Sequence, residues 1–219
     1  MKSKIIILFV LLVFSKISFS QYAFKIELHG GFPINTPSPV IIKQNNYPDI
    51  RFNANFYSEP FYSPYYWMWR LGIENEKGAY ELEAIHHKLY LSNKTEEVKQ
   101  FSISHGLNII TINRAFRKGK YLIHLGAGPI YAHPENIVRG KTLDHTKGLF
   151  KLGYYITGPS TNIAISRKFY LYKKVYSNFE LKHTFSYAKV PINDGNAEVY
   201  NNTFYLIFGL GFITKKINE

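Results

Sequence analysis

Between Glu198 and Thr214 the chain alternates with a period of two. Phe204, Leu206, Phe208, Leu210 and Phe212 fall on one parity, and Thr203, Tyr205, Ile207, Gly209 and Gly211 on the other. Successive side chains of a β-strand point to opposite faces, so this stretch predicts a strand with one apolar, aromatic face and one small or polar face. The pattern recurs. Tyr65–Asn75 sets Trp67, Trp69, Leu71 and Ile73 against Met68, Arg70, Gly72 and Glu74, and Val175–Val190 sets Phe179, Leu181, Phe185 and Tyr187 against Asn178, Glu180, Lys182 and Thr184. Further strands are expected over Gln21–Gly31, Ala79–Leu91, Gln100–Arg114, Lys120–His133 and Leu149–Phe169, the last with a bulge at Gly158-Pro159 that switches its parity.

A soluble barrel would turn long polar side chains to water and its apolar set inward. Here the polar parity is too small and too rich in glycine for a solvated exterior, so it reads as a crowded lumen and the apolar parity as a lipid-facing wall. The connections agree. Short ones at 76–78, 115–119 and 170–174 alternate with long ones at 33–63, 92–99, 134–148 and 191–197, as in outer-membrane barrels with short periplasmic turns and long outer loops. The expected fold is all-β: an eight-stranded antiparallel transmembrane barrel in the outer membrane of a Gram-negative-type bacterium, with both termini periplasmic. Arg70, Glu74, Glu81, Glu83, Glu180 and Lys182 share the inward parity and are expected to neutralise one another in the lumen. On the fourth strand Phe101, Ile103, Leu107 and Ile109 are expected to face lipid together with His105. Prolines 33, 37, 39, 48 and 60 make the 33–63 segment a loop or interrupted edge, with 50–57 as a possible strand beyond the membrane.

Lys2 and Lys4 precede an apolar run, Ile5 to Phe14, and Ser18-Phe19-Ser20 offers a small-x-small cleavage site, the pattern of a signal peptide over 1–20. Residues 21–219 then form one barrel domain, expected as a monomer. The absence of cysteine excludes disulfides, thiolate metal sites and attachment of lipid through an N-terminal cysteine. The chain carries 27 Lys plus Arg against 15 Asp plus Glu. For an exported protein this basic excess points to a phosphorylated lipid surface, lipopolysaccharide included, and not to nucleic acid.

One group of side chains breaks the apolar wall. His86 and Lys88 continue the outward parity of Tyr80, Leu82 and Ala84; His105 lies on the next strand, and His133 and Glu135 share the parity of Tyr121, Ile123 and Tyr131 on the one after. Three imidazoles on adjacent strands are thus expected outside, near the outer rim. One reading makes them headgroup-layer residues. The other makes His86, His105, His133 and Glu135 ligands for a divalent Zn, Fe, Mn or Cu ion, with Lys88 or Arg139 holding a lipid phosphate. No HExxH-type motif supports the metal reading.

The runs Glu83-Ala84-Ile85-His86-His87-Lys88-Leu89-Tyr90, Ser104-His105-Gly106-Leu107-Asn108 with Asn113, Ala132-His133-Pro134-Glu135 and Thr157-Gly158-Pro159 resemble a group of small outer-membrane barrels that includes the lipid A oxidases. The resemblance implies an oxidoreductase acting on the proximal glucosamine of lipid A with dioxygen and a divalent metal. His86, Lys88, Asn108, His133 and Glu135 match the pattern, whereas His105 stands where that family has an acidic residue. A weaker resemblance, at His183-Thr184-Phe185-Ser186, Asn193-Asp194-Gly195 and Glu198, is to lipid A deacylases; there Phe185 takes the outward place of the nucleophile and Ser186 points inward. Two classes of function stay open, a lipid A modifying enzyme and a barrel that binds or packs with lipopolysaccharide without catalysis.

Overall fold

The computed structural model describes residues 22–144 and 146–217, and the expected signal segment 1–20 lies outside them. The strands are β1 (Ala23–Asn35), β2 (Ser38–Gln44), β3 (Ile50–Ala54), β4 (Phe56–Tyr57), β5 (Trp67–Asn75), β6 (Gly78–Leu91), β7 (Val98–Lys118), β8 (Tyr121–Ala132), β9 (Glu135–Val138), β10 (Lys141–Thr142), β11 (Tyr155–Tyr170), β12 (Val175–Ile192) and β13 (Gly195–Ile213). Eight of them close a ring in the order β1, β5, β6, β7, β8, β11, β12, β13, every pair antiparallel, with β13 returning to β1 through Lys25 opposite Ile213 to Asn35 opposite Thr203. Closure leaves no free edge, which is the condition for crossing hydrocarbon with strands. Short turns join β5 to β6, β7 to β8 and β11 to β12 at one end, where Phe24 N–H donates to Thr214 Oγ1 at 3.0 Å and brings the two ends of the barrel sequence together.

The polarity is inverted relative to a soluble protein. Outside, Leu28, Ile112 and Leu210 are 64%, 73% and 58% exposed, within an apolar belt that includes Phe179, Phe204 and Phe208. A surface of this extent is stable against lipid and not against water. Inside lies a charge network. The Arg70 guanidinium donates to Glu27 at 2.9 Å, to Glu83 at 2.5 Å and to Glu180 at 2.8 Å. Lys25 reaches Glu81 at 2.5 Å, Lys182 bridges Glu83 and Glu180, and Glu74 takes Lys168 and Arg117. His124 lies between Glu81 and Ser166, 2.8 Å from each. Packing of this density needs a missing side chain on the wall: a Cβ at Gly126 would fall 1.5 Å from Asn113 Oδ1.

Toward the long-loop end the filling changes from charged to apolar. Met68, Ile85, Leu89, Ile103, Leu107, Ile109, Ile130 and Ile207 form one buried cluster that extends into β2 and β9 through Val40, Ile42 and Val138. The segment expected to be a loop from Pro33 is therefore largely sheet. Strand β1 runs past Gly30-Gly31 to Asn35 because β13 continues beside it, and beyond His29 it is paired on that side only, so Pro33 breaks no ladder on its free edge. β2 and β3 form a hairpin on the tip of β13, and β4 adds to the tip of β6. Strand β11 begins at Tyr155 and not at Leu149, and its register shifts between Ile156 and Gly158, the bulge read from Gly158-Pro159.

The facing of the fourth barrel strand is a correction. Phe101, Ile103, Leu107 and Ile109 on β7 are buried inside, and Ile112 and Phe116 face lipid. Both parities of this strand are rich in isoleucine, so alternation alone does not orient it; the loop-end core takes the bulkier set. His105 still emerges on the outside, through a bulge described below.

The network predicts a specific cost. In Arg70→Met, the carboxylates of Glu27, Glu83 and Glu180 lose their shared cation while remaining buried, a change that destabilises by about 3–5 kcal/mol. Urea unfolding of the barrel in detergent micelles measures it, and a loss below about 1 kcal/mol would contradict the assigned role.

Candidate metal site on the outer wall

The site is built by a two-residue excess on β7. Against β6, Leu107 pairs with His87 and Ile103 with Leu89; against β8 and β9, Leu107 pairs with Ala132 and Ser102 with Glu135. On both sides β7 spends two more residues than its neighbour, and the surplus at 104–106 is expelled as a bulge. Gly106 takes φ +115°, a conformation open to glycine, and His105 is thrown outward onto the wall.

Opposite the bulge, β8 ends and β9 resumes the same course after His133-Pro134. His133 N–H donates to the Gly106 carbonyl at 3.3 Å, which fixes His133 beside His105. Their rings meet edge to face with centroids 4.6 Å apart. Glu135 Oε1 lies 3.0 Å from His105 Nδ1 and 4.0 Å from His133 Nδ1. One donor atom from each of His105, His133 and Glu135 lies within 4.8 Å of the others. Tyr154 closes one side, its hydroxyl donating to the His105 carbonyl at 3.0 Å and its ring 5.0 Å from that of His133.

His86 and Asn108 form a second unit immediately below. The register aligns Trp67, His86, Asn108 and Tyr131 in one row across four strands. His86 stacks on Trp67 at 5.3 Å with ring planes 11° apart, and its Nδ1 lies 2.7 Å from Asn108 Oδ1. Its Nε2 is buried without a hydrogen-bond partner. The four expected ligands thus divide: three converge, and His86 stands apart as a neighbour of the trio. Lys88 is buried at a register shift in β6 and donates to the Tyr62 carbonyl at 3.0 Å, under the 58–66 loop. Arg139 is held by Glu97 at 2.7 Å and by the Pro48 carbonyl at 2.9 Å. Both cations offered for a lipid phosphate are therefore committed to the protein itself.

Tyr154, Trp67 and Gly106 were not legible as parts of a site. Tyr154 falls within the strand expected from Leu149 but lies just before the observed start of β11 at Tyr155, and the role of Gly106 depends on a bulge whose length only the partner strands define. At the segment that resembles the deacylases, His183 packs against Phe185 and Phe204, and Ser186 pairs inside with Ser160 at 2.8 Å. Above the wall, hydrogen bonds from Lys43 to Glu198 and from Lys141 to Asp194, each at 2.8 Å, hold both ammonium pKa values above the ordinary lysine value. They tie β2 and β10 to the β12–β13 tip.

Gly106 sets a test. A Cβ there would lie 2.4 Å from His86 Nδ1 and 2.7 Å from Asn108 Oδ1, on a backbone with φ of +115°. Gly106→Ala is expected to separate the His86–Asn108 pair and to destabilise by about 1–3 kcal/mol. Imidazole 15N resonances and the urea midpoint read both effects, and unchanged values would refute the close approach.

No family model matches the sequence, and no curated protein matches it. Solved structures similar to this chain include Ail, the attachment invasion locus protein of Yersinia pestis, at 11% identity and TM-score 0.39, covering 87% of this chain and 97% of that one. They also include the outer membrane protein OprG from Pseudomonas aeruginosa, at 8% and 0.44 with 89% and 96% covered. The outer membrane protein AlkL is similar at 10% and 0.46 with 90% and 92% covered.

Proposed function

We propose that this barrel binds a divalent metal through His105, His133 and Glu135 and modifies lipid A, by oxidase-like chemistry, at the outer-leaflet end of its wall. The observation that carries the reading is the convergence of the three donors within 4.8 Å, on residues expelled from or ending regular strands. Two imidazoles and one carboxylate suit Zn, Fe, Mn or Cu, so the donor set fits the metal that the sequence resemblance implies. When bound, such an ion supplies Lewis acidity and, for the redox-active metals, a one-electron centre.

The chain's own residues supply position. Tyr154 and the His133 backbone bond hold two rings in place on an outward-facing wall, where a substrate approaches from the leaflet. Beside them stands His86, whose Nε2 is buried without a hydrogen-bond partner. Its orientation is held by Asn108 and the Trp67 stack. Lipid A is the expected substrate because the site lies at the long-loop end, and dioxygen is the oxidant the resemblance implies. One observation favours the second reading, a barrel that binds lipopolysaccharide without catalysis: His105 occupies the place of an acidic residue, which alters the charge of the donor set.

Metal titration of the purified barrel, with Zn or Mn, is expected to show one site whose affinity falls about a hundredfold or more in His105→Ala and in His133→Ala. Lipid A from expressing cells is expected to contain an oxidised species, seen by mass spectrometry, that disappears in the same variants. Metal binding with unaltered lipid A would leave the binding reading standing, and loss of both results would remove the proposal.

A further inference from the structure

The two ends of the barrel differ in charge. At the long-loop end cations and acids are mixed: Lys43 pairs with Glu198, Arg51 with Asp49, Arg139 with Glu97 and Lys141 with Asp194, and the exposed Lys94, Lys99, Lys147, Lys151 and Lys189 share that end with Glu59, Glu96 and Asp144. In the lumen, Glu27, Glu74, Glu81, Glu83 and Glu180 are all taken by lumen cations. At the short-turn end each connection carries exposed lysine: Lys77 in the first, Lys118 and Lys120 around the second, Lys173 and Lys174 in the third. Lys215 and Lys216 follow β13 at the same rim, and among the described residues Glu76 is the one exposed carboxylate there. The basic excess of the protein is thus concentrated on the rim opposite the histidine site.

Two arginines on this part of the wall point outward and make no ion pair among the described residues. Arg114 sits 4.3 Å from the Tyr80 ring centroid and 5.1 Å from that of Phe116, and its Nη1 donates to the Ala79 carbonyl at 3.0 Å. Arg167 sits 5.9 Å from the ring of Tyr121 and 4.8 Å from that of Phe169. The register places Lys118, Tyr121 and Arg167 in one row across β7, β8 and β11, so that two cations flank one phenol. A guanidinium facing hydrocarbon is costly unless it reaches an anion at the interface. Aromatic rings hold it at headgroup depth, and its planar fork matches two phosphate oxygens. In an outer-membrane barrel the short turns face the periplasm, so the phosphates within reach belong to phospholipids of the inner leaflet and not to lipopolysaccharide.

We propose that the short-turn rim, through Lys118, Tyr121 and Arg167 and through Arg114 in its Tyr80–Phe116 frame, is a binding surface for anionic phospholipid headgroups. The surface is independent of the metal site and keeps its meaning if the barrel catalyses nothing. A neutral lipid also offers a phosphate, but its own cation opposes the lysines; a headgroup with net negative charge is therefore selected.

The full-length barrel, purified in neutral detergent, is mixed with equal amounts of phosphatidylglycerol and phosphatidylcholine, and retained lipid is read by native mass spectrometry. Phosphatidylglycerol is expected in excess, and the preference is expected to fall about fivefold for each cation removed in Lys118→Gln, Arg114→Gln and Arg167→Gln. Lys43→Gln with Lys141→Gln, at the other end, should leave it unchanged. Heat-modifiable gel migration selects the variants that are folded, and the single substitutions serve if the triple one is not. Equal retention of the two lipids by the wild type overturns the proposal. So does a preference that persists in the folded triple variant, or displacement of phosphatidylglycerol by lipopolysaccharide.

Discussion

Everything in this barrel is arranged around a charge it must keep out of water and out of lipid at once, the guanidinium of Arg70 with its three carboxylates. Lys25, Lys182, His124 and Glu81 extend the contact until strands on opposite sides of the lumen are joined by short hydrogen bonds. An ion pair in a protein interior is not stabilising by default, because desolvation offsets its attraction. In this chain the alternative arrangement is worse: the other parity of the same strands is apolar, and turning the charges outward would place them in hydrocarbon. The ion-pair layer therefore fixes which face of each strand is inside, and the apolar belt follows from it.

That choice of faces also explains the change of filling along the barrel. Where the strands leave the membrane they no longer need a charged lumen, and the interior becomes aliphatic, capped by the β2–β3 hairpin and by β9. At this transition the strands are least regular. β7 bulges at 104–106, which shifts its register against β6 at Lys88, and β8 breaks at His133-Pro134. The histidine site occupies that irregular zone. Three donors meet because consecutive departures from the ladder bring their side chains to one side of the wall.

Most of the architecture was legible in the sequence, since a period of two and alternating connection lengths are local signals. The eight barrel segments, the lumen group around Arg70 and the outward parity of His86 and His133 were readable from the period of two. Parity groups His105 with Phe101, Ile103, Leu107 and Ile109, which lie inside, and His105 reaches the outside only through the bulge at 104–106. Strand β7 shows the limit: Ile103, Ile109, Ile110 and Ile112 lie on both parities, and its orientation depends on the core it meets. Prolines 33 and 39 misled for a related reason, since a proline is tolerated on the unpaired edge of a strand and the pairing of that edge is a tertiary fact. For the site, residue types were visible but distances were not. Separating His86 from the trio required the bulge length, which no single strand encodes, and Lys25, Glu27, His29, His124 and Lys168 joined the lumen network without having been singled out.

The central claim is that the apolar parity faces lipid. Because the chain has no cysteine, single cysteines at Phe204, Leu206, Phe208 and Leu210 can each carry one nitroxide label. In reconstituted bilayers, collision rates with oxygen and with a water-soluble nickel chelate report the surroundings of each label. The account predicts oxygen collisions in excess at all four positions, with the largest excess at Leu206 and Phe208, and nickel collisions in excess at Tyr172 in the β11–β12 turn. Nickel access at Leu206 and Phe208 equal to that at Tyr172 would contradict it.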